Sequence, residues 1–172
     1  MSADEVLQTP RLSLNQASTA DAAFILELMN EPGWLEHIGN RNVHSLADAE
    51  RYIRTRLTES YDTHGFGLWV MRKRECGRAI GLCGLVRRGF LRGIDLGFAL
   101  FEREQGQGLA YEAATSCVTF ARERLGEREL LAITGESNTR SRALLRKLGF
   151  SGGEPLRLPD SATTVLLYQL EL

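Results

Sequence analysis

The sequence predicts an α/β (α+β) domain in which about four helices flank one mixed sheet of six to seven strands. Three observations predict this class. Several segments repeat apolar residues at helical spacing, and others are short apolar runs bounded by glycine or proline. The middle strands are joined by turns too short for crossovers, which indicates an antiparallel meander, whereas later strands alternate with helices. A length of 172 residues fits one domain over 1–172.

The first third of the chain is predicted to form one strand and two helices. Residues 11–15 alternate between polar and apolar side chains and form the strand. Each helix follows a capping-box pattern, and glycine ends the second helix at Gly65. Pro32 and Gly33 are expected to break the first helix and to leave 34–44 irregular. The two helices are 22–29 after Ser18-x-x-Asp21 and 46–63 after Ser45-x-x-Asp48.

The remaining elements complete the predicted sheet and its helices. Short turns connect the three strands of the meander. A long amphipathic helix follows a glycine-rich loop, and a strand, a helix and a final strand pair come after it. Pro155 and Pro159 are expected in the link between the last two strands. The predicted strands are 66–72, 79–87, 94–101, 129–134, one at Phe150 and 163–171, and the helices are 108–125 and 138–148.

Composition excludes several functional classes. Twenty-one basic and 22 acidic residues give a formal net charge of −1, which offers no electrostatic case for nucleic acid or an anionic membrane. No apolar run reaches the roughly 18 residues of a membrane span, and the first residues do not resemble a signal peptide. Three cysteines without ligand spacing indicate free thiols and a cytoplasmic protein. We expect no metal site and a monomer or homodimer.

A glycine-rich loop between strand and helix is the most informative local feature. It reads Gln105-Gly106-Gln107-Gly108-Leu109-Ala110. Backbone N–H groups at such a junction bind phosphate. The loop lacks the Gly-Lys-Ser/Thr of a P-loop, and Tyr111 stands where a dinucleotide fingerprint has its third glycine. A phosphate-bearing cofactor and an ordinary glycine turn before a helix both remain open at this level.

Two motifs together make the chain resemble the GNAT superfamily of acyl-CoA-dependent N-acyltransferases. The loop from Gln105 to Ala110 matches the signature Gln/Arg-x-x-Gly-x-Gly/Ala. The second motif is Asn-x-x-Ser followed by a basic helix and Lys-x-Gly-Phe, found here over 138–150. The opening 9–14 and the strand at 80–85 are similar to the RimJ/RimL-like branch, which is known for acetylating ribosomal-protein N-termini. The resemblance covers about 9–150 and implies a GNAT-type fold.

The resemblance implies acetyl-CoA as co-substrate and a primary amine as acceptor, either a protein or peptide N-terminus or a small molecule. The N–H groups from Gly106 to Ala110 suit the pyrophosphate of coenzyme A. Backbone groups of Phe98, Ala99 and Leu100 are expected to bind the pantetheine arm, which in the family enters between this strand and the next. Arg103, Arg140 and Arg146 are candidates for phosphate contacts, or are solvated helix residues.

Three side chains are catalytic candidates. Asp95 stands where the family often has a glutamate and is assigned as general base through water; pairing with Arg92 or Arg87 is the structural alternative. Asn138 is expected to hold pantetheine or water, and equally suits a helix N-cap. Ser141 corresponds to a serine proposed to protonate the CoA thiolate in RimL-like enzymes. Leu145 occupies the place where many members carry a tyrosine acid.

The acceptor pocket is predicted between the first helices and the meander. Its candidates are aromatic and basic residues, several of which suit the core equally well. The leading functional hypothesis is an N-acetyltransferase, with a small-molecule acetyltransferase as its nearest variant. The alternatives are a non-catalytic acyl-CoA-binding or regulatory domain and a nucleotide-binding module. The pocket candidates are Trp34, His37, Arg41, Tyr61, Phe66 and Trp69.

Overall fold

The structure is a computed structural model that describes residues 5–159 and 161–172. Residues 1–4, on which the prediction about a signal peptide rests, lie outside the described residues. In the described part of the chain, eight strands form one sheet in the order β1-β2-β3-β4-β5-β6-β8-β7. Neighbouring strands are antiparallel except β5 and β6. The strands are β1 Glu5–Gln8, β2 Leu12–Asn15, β3 Leu68–Lys73, β4 Ala79–Arg87, β5 Ile94–Leu100, β6 Glu129–Thr134, β7 Ser151–Arg157 and β8 Thr164–Glu171.

The mixed sheet and the meander predicted from the sequence are confirmed, with more strand than expected at both edges. β1 pairs with β2 beyond the first predicted strand. β7 includes Pro155, which the sequence analysis places in a link. Proline is compatible with this position because β7 is an edge strand, where a missing backbone N–H interrupts no ladder on the open side.

The helices lie where the sequence predicts them, with one addition. The predicted helix 46–63 is observed as α3, a π-helical segment and α4, and Gly65 ends it with a φ of 76°. The box at Ser18 forms, and Ser18 N donates to Asp21 Oδ2 at 3.0 Å. At Ser45 the N-cap forms, since Asp48 N donates to Ser45 Oγ at 3.1 Å, while Asp48 Oδ2 accepts from His44 N. The helical segments are α1 Ala22–Met29, α2 Pro32–His37, α3 Leu46–Tyr52, the π segment Ile53–Thr58, α4 Glu59–His64, α5 Leu109–Glu123 and α6 Thr139–Lys147.

The expectation that Pro32 and Gly33 leave 34–44 irregular is wrong for its first part. Pro32 occupies the first turn of α2, which continues through Trp34 to His37. Proline is well suited to the first helical turn, because the N–H it lacks has no intrahelical partner there. The proline therefore ends one helix and begins the next. This places Trp34 in a helix with its ring buried.

The core lies on both faces of the sheet and leaves β5 accessible at one edge. Trp69 on β3 is buried and packs edge-to-face on Phe120 of α5, with ring centroids 5.2 Å apart. The core interpretation of Trp69 is therefore confirmed. Tyr61 of α4 is also buried, and its hydroxyl donates to Leu68 O and accepts from Ala17 N at 3.2 Å.

β5 and β6 diverge at the centre of the sheet. Within the described residues they pair in parallel at one position, Asp95 with Leu131. On its other side β5 is paired with β4 over its whole length, from Arg87–Ile94 to Gly81–Leu100. The later part of β5 is therefore anchored on one edge and open on the other, as the family resemblance implies.

Glycine is sterically required at position 84 of β4, where the strand lies against the chain at Gly67. A Cβ atom there would lie 2.0 Å from the carbonyl oxygen of Gly67, which accepts a hydrogen bond from Leu85 N. We expect Gly84→Ala to lower the free energy of unfolding by about 3 kcal/mol, the upper range of overpacking losses. Gly135→Ala is the matched control, because a Cβ there meets nothing within 4 Å. Equal urea midpoints for both variants would contradict the steric argument.

Candidate functional site

The glycine loop ends at the N-terminus of α5 in a conformation that requires glycine. Gly106 and Gly108 both have a φ of 76°, and a Cβ at Gly106 would meet nothing within 4 Å. Gly108 is the N-cap residue and has no side-chain cap, and Glu112 N donates to Gly108 O at 3.1 Å to close the first turn. The N–H groups before Glu112 have no partner within the helix. The loop therefore presents backbone donors at the positive end of a 15-residue helix.

Residues that the sequence analysis did not assign to the site hold this loop in place. Arg11 Nη1 donates to Gln107 O at 2.9 Å, and Arg11 Nε donates to Glu112 Oε2 at 2.6 Å. Thr9 Oγ1 donates to Glu112 Oε1 at 2.6 Å. Partial burial opposes ionisation of Glu112, but these hydrogen bonds from Thr9 and Arg11 hold its pKa below the ordinary value. The Thr-Pro-Arg signal was present in the sequence, but its contact with the loop spans about a hundred residues.

Gln105 connects the loop to β5 and to α6. Its Nε2 donates to Leu100 O at 3.3 Å, and its Oε1 accepts from Arg140 of α6. Of the three arginines considered for phosphate contact, Arg140 therefore lies beside the loop. Arg103 instead donates to Glu27 at 2.9 Å and stacks over Phe101, while Arg146 is exposed on α6.

Asn138 and Ser141 form the first turn of α6. Asn138 Oδ1 accepts from Ser141 N at 3.1 Å, so the side chain acts as the helix N-cap. This is the structural alternative considered for Asn138, and it leaves the amide NH₂ group of the side chain uninvolved in the cap. The same hydrogen bond fixes the first turn in which Ser141 lies, and the Ser141 side chain lines the cavity described next.

Asp95 is the buried carboxylate of the site, and its partner differs from both arginines considered. Only 1% of the residue is exposed, and Arg88 Nε donates to both of its oxygens, at 3.1 and 3.2 Å. Arg92 instead pairs with Glu129, at 2.6 Å. Burial raises the pKa of Asp95 above its ordinary value, and the positive charge of Arg88 offsets part of that rise. Asp95 is therefore a buried acid whose proton affinity is raised.

A cavity of about 720 Å³ brings several of these residues together. Asp95, Phe98 and Ala99 of β5 line it, as do Ala132 of β6 and Ser141 of α6. The cavity thus occupies the gap where β5 and β6 diverge. Leu100, Asn138 and the loop from Gln105 to Ala110 are not among its lining residues.

The acceptor candidates divide between this cavity and the core. Trp34 and Arg41 line the cavity, whereas Tyr61, Phe66 and Trp69 are buried without lining it. His37 is half-buried on α2 and does not line it either. Tyr61, Phe66 and Trp69 therefore follow the core alternative, because their side chains are buried in the hydrophobic core. Further residues line the cavity that the sequence analysis did not single out: Tyr52, Thr55, Arg56, Glu59 and Arg88.

Across 5–159 and 161–172, no three His, Cys, Asp or Glu side chains group together as metal ligands. None of the helices in those ranges has the length and apolar character needed to cross a membrane.

Comparisons with known proteins agree with this geometry. Residues 11–151 match the family model described as acetyltransferase (GNAT) domain. The protein called uncharacterized N-acetyltransferase YoaA, from Bacillus subtilis (strain 168), is 26% identical over 155 residues, which cover 88% of this chain and 86% of the relative.

Solved structures share the fold. The crystal structure of the acetyltransferase from Agrobacterium tumefaciens str. C58 superposes with a TM-score of 0.80 at 25% identity, covering 96% of this chain and 94% of that one. RimL, a ribosomal L7/L12 alpha-N-protein acetyltransferase in complex with coenzyme A, superposes with a TM-score of 0.81 at 16% identity, covering 98% of both chains. The expected similarity to the RimJ/RimL-like branch is thus confirmed at the level of the fold.

Proposed function

The chain belongs to the acetyltransferase (GNAT) domain family and is an N-acetyltransferase, and from this premise we propose that it transfers the acetyl group of acetyl-CoA directly to a primary amine. The observation that carries the proposal is the continuity of β5. One end of this strand leads into a loop of backbone donors, and the other end places the buried Asp95 in a cavity at the strand gap.

Coenzyme A binding is assigned to the glycine loop and the open edge of β5. The N–H groups from Gly106 to Ala110 hold the pyrophosphate, favoured by the positive end of α5. Glycine at 106 and 108 removes the side chains that would block phosphate approach. The backbone of Phe98, Ala99 and Leu100 is unpaired toward β6 and suits the amides of the pantetheine arm.

The chemistry requires that one proton leave the amine and that one reach the sulfur. The amine lone pair attacks the thioester carbonyl carbon, the new C–N bond forms, and the C–S bond then breaks. Asp95 accepts the proton of the amine through an ordered water, and its raised pKa suits it to this task. Ser141 donates its hydroxyl proton to the departing thiolate and regains a proton from water, which in turn receives the proton that Asp95 took from the amine. A backbone N–H at the open edge of β5 stabilises the oxyanion. Asn138 caps the turn that positions Ser141.

The remaining expectations stay part of this proposal. Residues 1–172 form one GNAT domain, which acts in the cytoplasm as a monomer or homodimer and requires no metal. The acceptor is a peptide or protein N-terminus or a small amine. RimL is named for an acceptor of the first kind, a ribosomal L7/L12 α-amino group. The second candidate function is acyl-CoA binding without transfer. It is favoured by Leu145, a buried apolar residue that lines the cavity. Many family members carry at this position a tyrosine that acts as the general acid.

Gly108→Glu should abolish coenzyme A binding, because it places bulk and negative charge where phosphates approach the backbone. Isothermal titration of the folded variant with coenzyme A measures the effect. Gly126→Glu is the matched control: that glycine also has a positive φ, 69°, and lies just beyond the other end of α5. The loop assignment is wrong if Gly108→Glu binds coenzyme A as tightly as the control does.

Ser141→Ala should lower kcat by about 100-fold, the usual contribution of general acid catalysis, and should leave acetyl-CoA affinity nearly unchanged. The proposed proton donation occurs only while the C–S bond breaks, so it affects the transition state rather than the bound ground state. Single-turnover transfer from labelled acetyl-CoA, together with a binding titration, separates the two effects. A variant with near wild-type kcat would show that the serine has only a structural role.

Asp95→Asn should reduce turnover most at low pH and recover as the pH approaches the pKa of the amine, about 8 for an α-amino group. A base works when deprotonated, so wild-type turnover rises as pH increases through the pKa of Asp95. Arg88 lowers that pKa. Arg88→Gln should therefore move the rising part of the kcat profile to higher pH, whereas Arg88→Lys retains the charge and should move it less. Identical pH profiles for wild type, Asp95→Asn and Arg88→Gln would exclude Asp95 as the base.

A further inference from the structure

Four arginines line the cavity at the end that is remote from the glycine loop. They are Arg41 after α2, Arg56 in the π segment, and Arg87 and Arg88 at the end of β4. The acidic residues among the cavity's lining are Glu59 and Asp95. The cavity is therefore more basic than the chain as a whole, whose formal net charge is −1.

Three of these arginines have no carboxylate partner among the residues that the structure describes. Arg88 is committed to Asp95. Within 5–159 and 161–172, no ion pair or hydrogen bond involves the side chains of Arg41, Arg56 or Arg87, which we call the distal arginines. Nine arginines of the described residues pair with a carboxylate, Arg88 among them. Arg54, on the same π segment as Arg56, lies 3.5 Å from Glu50 and does not line the cavity.

Two of the distal arginines, together with Arg88, act on a common point in the cavity. Burial raises the pKa of Tyr52, and the positive charges of Arg41, Arg56 and Arg88 oppose that rise. Arginines from three separate elements thus lie near one phenol that itself lines the cavity. Trp34, also in the lining, has an indole N–H that is buried without a hydrogen-bond partner among the described residues. The cavity wall therefore combines three uncompensated cations with polar groups.

Arg87 lies too far from the glycine loop to bind the phosphates assigned to it. Arg87 pairs with Ile94 at the start of β5, and the loop follows Leu100 at its other end. Six residues of extended strand span about 20 Å. Asp95 lies near the arginine end of the strand, one residue from Ile94. The positive charge is thus on the side of the cavity where an acceptor amine would approach its base.

We propose that the distal arginines bind an anionic group of the acceptor, so that the enzyme acetylates amines that also carry a carboxylate. The guanidinium group suits this task because it donates two parallel hydrogen bonds to a carboxylate. The anionic group is held by Arg41, Arg56 and Arg87 while the amine reaches Asp95. This inference rests on the proposed function, which it extends by naming the acceptor class.

Matched probes test the charge requirement directly by calorimetric binding to the full-length protein. One pair is 4-aminobutanoate and its amide; the other is the C-terminally amidated peptide Ser-Asp-Glu-Glu and its neutral counterpart Ser-Asn-Gln-Gln. At least one acidic probe should bind about tenfold more tightly than its neutral partner, as one charge-assisted hydrogen bond would give. The difference should shrink at high ionic strength, because the arginines are accessible to salt.

Variants assign the preference to the distal arginines. Arg56→Gln should remove most of it, and Arg87→Gln provides a second variant on a different element in case the π segment is disturbed. Arg54→Gln removes the same charge from the same segment outside the cavity and should retain the preference. The proposal is overturned if neither acidic probe binds more tightly than its neutral partner, or if the preference survives in both Arg56→Gln and Arg87→Gln.

Transfer from labelled acetyl-CoA to the same probes separates this inference from the proposed function. Preferential binding of an acidic probe without acetylation would contradict acetyl transfer to this acceptor class and leave the anion site established. Equal acetylation of acidic and neutral probes would confirm transfer and overturn the anion site. A preference limited to the peptide pair indicates a peptide acceptor, and one limited to 4-aminobutanoate indicates a small molecule.

Discussion

The divergence of β5 and β6 is the constraint on which the rest of the structure depends. A break in the middle of a sheet leaves backbone N–H and C=O groups without strand partners, and such groups are costly to bury. Here the ladder is reduced to Asp95–Leu131, and the cavity opens directly beyond it. A ligand arm that carries its own amides satisfies such an edge, so the gap favours a peptide-like ligand over a purely apolar one.

The open edge requires that the other edge of β5 be held firmly. β4 pairs with β5 along its whole length, and its glycines allow close approach of the neighbouring chain: a Cβ at Gly81 would lie 2.3 Å from Ala99 O. At the far side of the loop, Gln105 links Leu100 to Arg140 of α6. These contacts keep the two walls of the gap at a defined separation without a β5–β6 ladder.

Two buried carboxylates near the ends of β5 show how environment assigns different roles to similar groups. Glu104, just before the glycine loop, pairs with Lys73 and Arg78, each at 2.7 Å, and the hydrogen bond from Lys73 holds its pKa below the ordinary value. Asp95 pairs with Arg88, and burial raises its pKa. The two carboxylates thus have pKa values shifted in opposite directions, that of Glu104 by its cationic partners and that of Asp95 by burial. Opposite shifts of this kind distinguish structural from acid–base carboxylates.

Local chemistry was sufficient for the sequence to determine most elements. Several of these features depend on residues within a few positions of one another. They are the helix N-caps at Ser18 and Ser45, the glycine that ends α4 at Gly65, and the glycine loop before α5. The sequence also predicted the strand meander and contained the two family motifs, and these located the loop, Asp95 and Ser141. The predictions based on Pro32 and Pro155 were wrong because the structural effect of a proline depends on its context. Pro32 begins α2, and Pro155 lies on an edge strand whose position only the sheet order defines.

Only the tertiary structure decided the contacts between distant segments. Arg88 rather than Arg87 or Arg92 became the partner of Asp95, because the turn between β4 and β5 aims one of three nearby guanidinium groups at the buried carboxylate. Thr9 and Arg11 meet Glu112, and Arg41, Arg56 and Arg87 converge on one cavity from three elements. Charged side chains leave no periodic signature of their partners in a sequence, because their pairing follows from how helices and strands pack. The sequence by itself therefore determined the elements and the loop, and packing alone decided which charges surround the site.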